Sequence, residues 1–317
     1  VVVVFMGVTI TFIIPRLLPT DPVQEALTRI QGREAMDPRA VASFRSALED
    51  LYGLKGSLVD QYIAYWRRLL QGDLGPSLGH FPTPVMQIIR SSMPWTVGLL
   101  VTSVLISWVL GVVLGTMSAF SRDRAWSKML DKSFIVLMPI PYPICGRVLV
   151  MIFCYYFPIF PMVGGASGKP ALSWPYIRSI LEHGFLPALS LILGGTAFRF
   201  IMARALASTV ISSDYVAYAQ LAGVPRRDIA SKYVLRNTML PQITDLGLAL
   251  GAVFGGALIT EMIFAYPGVG YSFYTAILQA DFNLMLGVTL FSIVGIATAA
   301  LLVDLSYPLF DPRVRYR

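Results

Sequence analysis

The feature that most constrains this chain is the alternation of long apolar segments with loops whose basic residues gather on every second side. Apolar stretches cover residues 1–18, 95–120, 134–160, 185–206, 242–264 and 284–307. Each is close to the roughly 20 helical residues that cross the hydrocarbon core of a bilayer. One set of loops is basic: Arg122, Arg124, Lys128 and Lys132 against Asp123 and Asp131, then Arg226, Arg227, Lys232 and Arg236, then Arg313, Arg315 and Arg317. Basic residues beside membrane segments are retained in the cytoplasm, so the pattern predicts six crossings with both termini cytoplasmic. The alternate loops lack that bias. In residues 21–90, eight acidic residues balance eight basic ones, and 161–182 is rich in Gly and Pro, so both are expected outside. A 317-residue chain that is 56% hydrophobic and 14% charged, with a mean hydropathy of +0.66, is not an ordinary soluble domain. Its net charge of +7 does not point to nucleic acid, because the basic residues sit between apolar runs and form no extended tract.

The segments carry their own local signals. Pro15 is expected to bend the end of the first and Arg16 to reach an interface. The sequence starts without methionine or a basic lead-in, so a short native N-terminus is expected to precede it; a cleaved signal peptide fits less well. Short helices are expected at 38–50 and 57–70. In the second, Leu58, Tyr62, Tyr65, Trp66 and Leu69 share a face that either packs on the protein or lies at the membrane. Gly111 and Gly115, one turn apart, suit close helix packing, as do Gly247, Gly251 and Gly255 in the fifth segment, at the bundle centre or a subunit interface. Pro139, Pro141 and Pro143 predict irregular backbone or a kink that protein contacts or a wet cavity must protect. Cys145 and Cys154 would lie about 13 Å apart along a helix, too far for a disulfide, and are expected to fill apolar space.

Charges inside the segments are the sharper candidates. Arg147 either faces a translocation path or snorkels or satisfies a helix terminus. Asp245 and Glu261 bracket the fifth segment, as interface residues or as groups lining a path or locking a closed state. For Glu261 the two readings are a state-dependent helix interface and a lipid-headgroup contact. Arg199 and Arg204 are read as interface anchors in preference to substrate contacts. His80 and His183 stand far apart, so no zinc site or acid–base pair is assigned. The sequence shows neither a phosphate-cradling glycine loop with Lys and Ser/Thr nor a compact acidic magnesium site, so no ATP hydrolysis, bound cofactor or metal is expected of this chain.

Between the fourth and fifth segments lies DYVAYAQLAGVPRRDIASKYVLRNTMLP, residues 214–241. Gly223 suits a positive-φ helix stop and Pro225 the first turn of a following helix, giving a hinged helical pair; an amphipathic surface loop is the plain alternative. Ala219 and Gly223, followed by Leu235, Arg236, Asn237, Leu240 and Pro241, resemble the cytoplasmic coupling loop of binding-protein-dependent ABC importer permeases, in particular their dipeptide and oligopeptide branch. LPTDP at 18–22, GDLG at 72–75, LPAL at 186–189 and TEMIFAYPGVG at 260–270 extend the resemblance in order along nearly the whole chain, and Arg204 matches the branch's basic position before the loop. Ala217 stands where the family carries an acidic residue and Tyr218 where it carries alanine, so no charge contact with an ATPase is expected there.

The resemblance implies an all-α integral membrane protein with the six-helix type I ABC importer permease fold. It implies one transmembrane permease domain over 1–317, with 19–90 an extracytoplasmic loop region and 207–240 a cytoplasmic coupling region. Ala219, Gly223, Val224, Pro225, Arg226 and Arg227 would couple to the ATPase, with Arg147 and Glu261 as candidate pathway or gate residues. The implied partners are a second permease subunit, two cytoplasmic ABC ATPase domains that use ATP and Mg2+, an extracytoplasmic substrate-binding protein and membrane lipids, in a bacterial or archaeal cytoplasmic membrane. The implied cargo is di- or oligopeptides, with oligosaccharides, opines and nickel complexes as alternatives. From the residues alone, a secondary transporter and an ion channel remain open.

Overall fold

The computed structural model describes residues 2–17, 41, 43, 45–47, 49 and 56–310. The LPTDP motif, most of the helix expected at 38–50 and the three tail arginines lie outside the described residues. Within them the regular structure is helical: α1 Val2–Leu17, α2 Leu58–Leu70, α3 Val85–Phe120, α4 Ala125–Leu137, α5 Tyr142–Val150, α6 Trp174–Ile211, α7 Asp214–Leu221, α8 Arg226–Asp228, α9 Arg236–Ala252, α10 Leu258–Ile263, α11 Val269–Leu278 and α12 Phe282–Phe310. Two π-helical stretches, Met151–Tyr156 and Ile229–Leu235, continue α5 and join α8 to α9.

The protein is thus an all-α, multi-span membrane fold. Among the described residues α3, α6 and α12 are long and apolar enough to cross a membrane, and a fourth span results if α4 and α5 with its π-helical extension count as one. That pair is bent by 100°. The bend falls where the three prolines predict it: α4 ends at Leu137, Pro141 is extended (φ −59°, ψ 140°), and Pro143 sits in the first turn of α5, where its missing N–H has no helical partner to lose.

Three expected boundaries move. The second crossing, expected from residue 95, lies in a helix that already starts at Val85 and carries Pro94 inside it. The fourth helix does not start near 185. It starts at Trp174, because Ser173 is extended and Pro175 sits in the first turn, and the Arg178–Glu182 pair at 2.7 Å spans the next one. The fifth segment is not one helix. It stops at Ala252, passes through a 3-10 turn at Val253–Gly255 and Gly256 at φ +71°, and resumes only as α10. The repeated glycines therefore include the place where the helix breaks, although Gly251 keeps a close-packing role: a Cβ there would come 3.1 Å from that of Ala299.

The chain divides into two compact units. One comprises residues 1–96, 254–258 and 267–297; the other comprises 97–253, 259–266 and 298–317. In the first unit, Val85 and Ile89 of α3, Val269 and Ala276 of α11, and Leu284 and Val288 of α12 form a buried apolar core. The aromatic face of α2 packs on α1: Trp66 stacks on Phe5 at 5.6 Å, Tyr62 meets Phe12 edge-on at 5.0 Å, and the Tyr62 and Thr9 hydroxyls are 2.8 Å apart. Only Leu58 of the expected face is left exposed. Ser57 and Asp60 cap α2 reciprocally, and the Ser57 hydroxyl and N–H hold the Asp60 carboxyl below its ordinary range.

The same unit contains a latch that the GDLG motif helps to build. Asp281, fully buried, accepts from the Ser77 hydroxyl and from the Gly79 N–H at 3.0 Å, while its other oxygen caps α12 by accepting from the Leu284 N–H at 3.1 Å. Asn283 donates to the Pro76 carbonyl at 2.9 Å. Gly75, at φ +78°, leaves room for that amide, because a Cβ there would sit 3.0 Å from Asn283 Nδ2. Just before Asp281, α11 ends in a Schellman turn: the Asp281 N–H donates to the Ala276 carbonyl at 2.8 Å and the Ala280 N–H to Ile277 at 3.1 Å, with Ala280 itself at φ 47°.

In the second unit α3 and α6 meet backbone to backbone. A Cβ on Gly111 would lie 2.5 Å from Arg199 Cβ, and one on Gly115 would lie 2.5 Å from the Phe200 carbonyl oxygen. The expected partner of the glycine pair is therefore α6. Gly194 in turn faces the ring of Tyr142 on α5, and Phe134 of α4 packs on Phe200 at 4.6 Å.

Candidate functional site

The hinged pair predicted at 214–241 is present. Helix α7 closes with a Schellman turn in which the Val224 N–H donates to the Ala219 carbonyl at 3.1 Å and the Gly223 N–H donates to Gln220 at 3.1 Å. Gly223 stands at φ +73°, the conformation that glycine adopts without a Cβ penalty. Pro225 is the residue before α8 and not its first helical residue; it is extended at φ −57° and ψ 139°, and its carbonyl accepts from Asp228 and Ile229. The second helix of the pair runs through a π-helical stretch before α9.

Burial fixes which face of this pair is which. Val216 and Ala219 of α7, with Ile229 and Val234 of the following helix, form a buried cluster with Ala119 at the end of α3 and Ala207 of α6. Val224 packs against that cluster, supplying the apolar contact that accompanies such a turn. On the opposite side of α7, Tyr215, Tyr218 and Leu221 are 44%, 71% and 83% exposed, three residues apart on one ridge. Gly223, Pro225, Arg226 and Arg227 are exposed at the turn. Of the six coupling residues expected from sequence, Ala219 lies underneath as packing, Val224 is half-buried, and the other four form one continuous surface corner. Ala217 and Tyr218, where the family pattern fails, are both exposed.

The membrane-depth charges are arranged differently from the sequence expectation. Arg199 is buried rather than an interface anchor: its Nε donates to Asp245 Oδ2 at 2.8 Å and its Nη1 to the Ser107 hydroxyl at 2.8 Å. Arg204 pairs with Asp131, which also accepts from Ser118 at 3.3 Å; Ser118 is bonded in turn to Ser127 at 2.6 Å. Neither pairing was visible in sequence, because each joins residues of different helices; for Arg199 and Asp245 the available signal was an opposite charge placed in two apolar segments, whereas Asp131 lies in the basic loop before the third segment. Glu261 is fully buried in α10. Its segment is anchored by the Phe264 carbonyl, which accepts from the Gly164 N–H at 2.9 Å. Arg147, by contrast, is exposed in the last turn of α5 and has no hydrogen-bond or ion-pair partner among the described residues. Cys145 and Cys154 are free thiols. No cluster of metal-ligating side chains occurs among the described residues.

Residues 111–316 match the family model described as the binding-protein-dependent transport system inner membrane component. The chain belongs to this family. Members similar to it across almost their full length include the oligopeptide transport system permease protein AppB of Bacillus subtilis, 28% identical over 318 residues that cover 99% of this chain and 96% of the relative. The oligopeptide transport system permease protein OppB of Haemophilus influenzae is 29% identical over 314 residues, covering 98% and 95%. The dipeptide transport system permease protein DppB of Bacillus subtilis is 29% identical over 307 residues, covering 97% and 92%. As an inner-membrane component of a binding-protein-dependent transport system, the chain is a transport permease, and the family match takes in the hinged pair, the Arg199–Asp245 and Arg204–Asp131 ion pairs and α12.

Proposed function

We propose that this chain is one of two permease subunits of an ATP-driven importer for di- and oligopeptides. The observation that carries the reading is similarity along nearly the whole chain to relatives named for oligopeptide and dipeptide transport. In this reading the chain is a single transmembrane permease domain with six crossings and both termini cytoplasmic; 19–90 is its extracytoplasmic loop region and 207–240 its cytoplasmic coupling region. An external binding protein delivers cargo, and two ATPase domains hydrolyse ATP with Mg2+ on the other side of the membrane. The exposed ridge of Tyr215, Tyr218 and Leu221, beside Gly223, Pro225, Arg226 and Arg227, supports a role for this corner as the part seated in an ATPase groove. An unpartnered arginine on a membrane helix supports Arg147 as a pathway residue, and full burial of a carboxylate supports Glu261 as a group at a state-dependent interface.

The test is reconstitution with a mate permease, the ATPases and the binding protein in proteoliposomes, with uptake of labelled di- to pentapeptides followed with and without ATP. Uptake that requires ATP and all four kinds of component is expected. Gradient-driven uptake by this chain alone, or passive ion conductance, would overturn the reading. Glu261→Gln should alter substrate-stimulated ATP hydrolysis and nearby crosslinking between states; if neither changes, the gate assignment is abandoned.

A further inference from the structure

Two glycines make room for Arg199 among three helices. A Cβ on Gly111 of α3 would lie 2.5 Å from Arg199 Cβ, so the stem of the arginine sits where α3 and α6 come closest. A Cβ on Gly195 would lie 2.9 Å from both Arg199 Nη1 and the Ser107 hydroxyl, so the guanidinium folds back over its own helix to reach α3. Its contact on α9 is Asp245, at 2.8 Å. A guanidinium carries five N–H donors. Among the described residues Arg199 uses only Nε and Nη1, and Asp245 accepts on one oxygen only. A buried ion pair that is half satisfied is a poor device for stability, because apolar side chains of the same volume serve as well or better.

One turn nearer the hinged pair, α9 carries a second acceptor. Gln242, 3% exposed, donates through Nε2 to the Thr238 carbonyl at 3.0 Å and to the Thr238 hydroxyl at 3.1 Å, while its Oε1 is buried without a partner among the described residues. Residues three apart on a helix are neighbours on its surface. Helix α3 touches both places: Ser107 accepts from Arg199, and the next residue, Trp108, donates its indole N–H to the Gln242 carbonyl at 2.8 Å. We propose that Arg199 exchanges Asp245 for Gln242 Oε1 during the transport cycle, as α9 slides past α6 by up to one helical turn, about 5 Å. The inference rests on the reading of the chain as an ATP-driven permease, and it adds to that reading the residues that set the position of α9.

The two ends of α9 suit such a movement. Before it runs the π-helical stretch Ile229–Leu235, a kind of backbone that occurs mostly at functional sites, and after it come the 3-10 turn Val253–Gly255 and Gly256 at φ +71°. Near the second end, Gly251 presents no side chain to Ala299. The stem of Arg199 is clamped between α3 and α6, so α9 is the part that moves. Because the π-helical stretch joins α9 to the hinged pair, a push on the exposed corner carries Gln242 toward the place now held by Asp245. Arg199 then holds α9 at either of two stops, a carboxylate or an amide oxygen, and keeps an acceptor at both.

The experiment places spin labels at two exposed positions, Phe198→Cys on α6 and Leu248→Cys on α9, in the full complex with Cys145→Ala and Cys154→Ser. ATP-driven uptake by this labelled complex is measured first. Electron–electron double resonance, without nucleotide and with the ATPases trapped by ATP and vanadate, should then give two label distances that differ by several ångström. Because removal of Arg199 disturbs three helices at once, the variants are made at its acceptors. Gln242→Leu should keep the nucleotide-free distance under both conditions and lower uptake roughly ten-fold, as for loss of a charge-assisted hydrogen bond. Gln242→Glu keeps an oxygen and adds charge, so it should populate the trapped-state distance even without nucleotide, and Asp245→Asn should shift the distances in the same direction. A purely structural Gln242 would respond alike to Leu and to Glu. Two distances that persist in Gln242→Leu overturn the inference. A single fixed distance in a complex that transports overturns it alone, whereas missing ATP-driven uptake withdraws the transport reading and this inference with it.

Discussion

The turns at Gly223 and at Ala280 close their helices with the same two hydrogen bonds, yet they are held by opposite means. At Gly223 the backbone sits at φ +73°, and a Cβ would find nothing within 4 Å. The turn stands in the open, and its geometry depends on the residue that adopts it without strain. At Ala280 the same left-handed conformation, at φ 47°, is imposed on a residue with a Cβ, at a cost of about 1–2 kcal/mol. What makes that tolerable is the next residue, Asp281, buried and bonded to Ser77, Gly79 and Leu284. One turn is shaped from within by its own sequence, and the other from outside by a loop some two hundred positions away. A turn of the first kind keeps its shape whatever it touches, which suits a part that docks; a turn of the second kind is fixed only while its latch is closed.

The largest effect that would break this contrast is expected for Gly223→Pro. Proline cannot adopt φ +73° and removes the N–H that bonds to Gln220, which costs about 3 kcal/mol or more at the turn. Because the turn is exposed, the thermal midpoint of the assembled complex should move by only a few degrees, while cargo-stimulated ATP hydrolysis and uptake fall at least ten-fold. Wild-type coupling in a correctly assembled variant would show that the turn's geometry is not needed. Next comes Asp281→Ala, which strands three donors and removes the cap of α12; a loss of roughly 3 kcal/mol in denaturant unfolding in detergent is expected. A loss below about 1 kcal/mol would mean that the latch does not hold the Ala280 turn.

Gly223→Ala isolates the backbone term, since no clash accompanies it. It should weaken hydrogen-exchange protection of the Val224 amide by about 1 kcal/mol, and an unchanged rate would contradict the reliance on glycine. Its mirror image, Ala280→Gly, has the smallest effect and the opposite sign: relief of the left-handed strain, offset by the greater freedom of glycine in the unfolded chain, should raise stability by about 0.5 kcal/mol. A destabilised Ala280→Gly protein would show that the Cβ makes a contact worth more than its strain.

The same contrast separates what sequence reveals from what it hides. Gly223 and Pro225 mark their turn because the information is local, and the three prolines before α5 mark the bend for the same reason. Gly111 and Gly115 announced a close contact without naming its partner, since small size is a property of one helix and the neighbour belongs to the fold. Asp281 carried no signal at all. Its partners Ser77 and Gly79 are distant in sequence. Arg199 misled for a related reason. An arginine near the end of an apolar segment suggests the membrane surface, and only the approach of α3 and α9 shows that Ser107 and Asp245 enclose it. The glycine repeat of the fifth segment reads as close packing alone; Gly251 keeps that role, but the helix breaks just beyond it and Gly256 turns to φ +71°.

Helix α6 has 38 residues and so is about 57 Å long, nearly twice the roughly 30 Å hydrocarbon thickness of a bilayer. Two charged pairs mark its length: Arg178 with Glu182 toward its start, and Arg204 with Asp131 toward its end. Between Glu182 and Arg204 the helix rises about 33 Å, close to that same thickness. The pairs act as a draught mark on a hull, fixing which turns are immersed. In a thicker or thinner membrane this rod cannot simply sink or rise without drawing one of its pairs into hydrocarbon or leaving apolar turns in water, so it must adapt by tilting or by deforming the lipid around it.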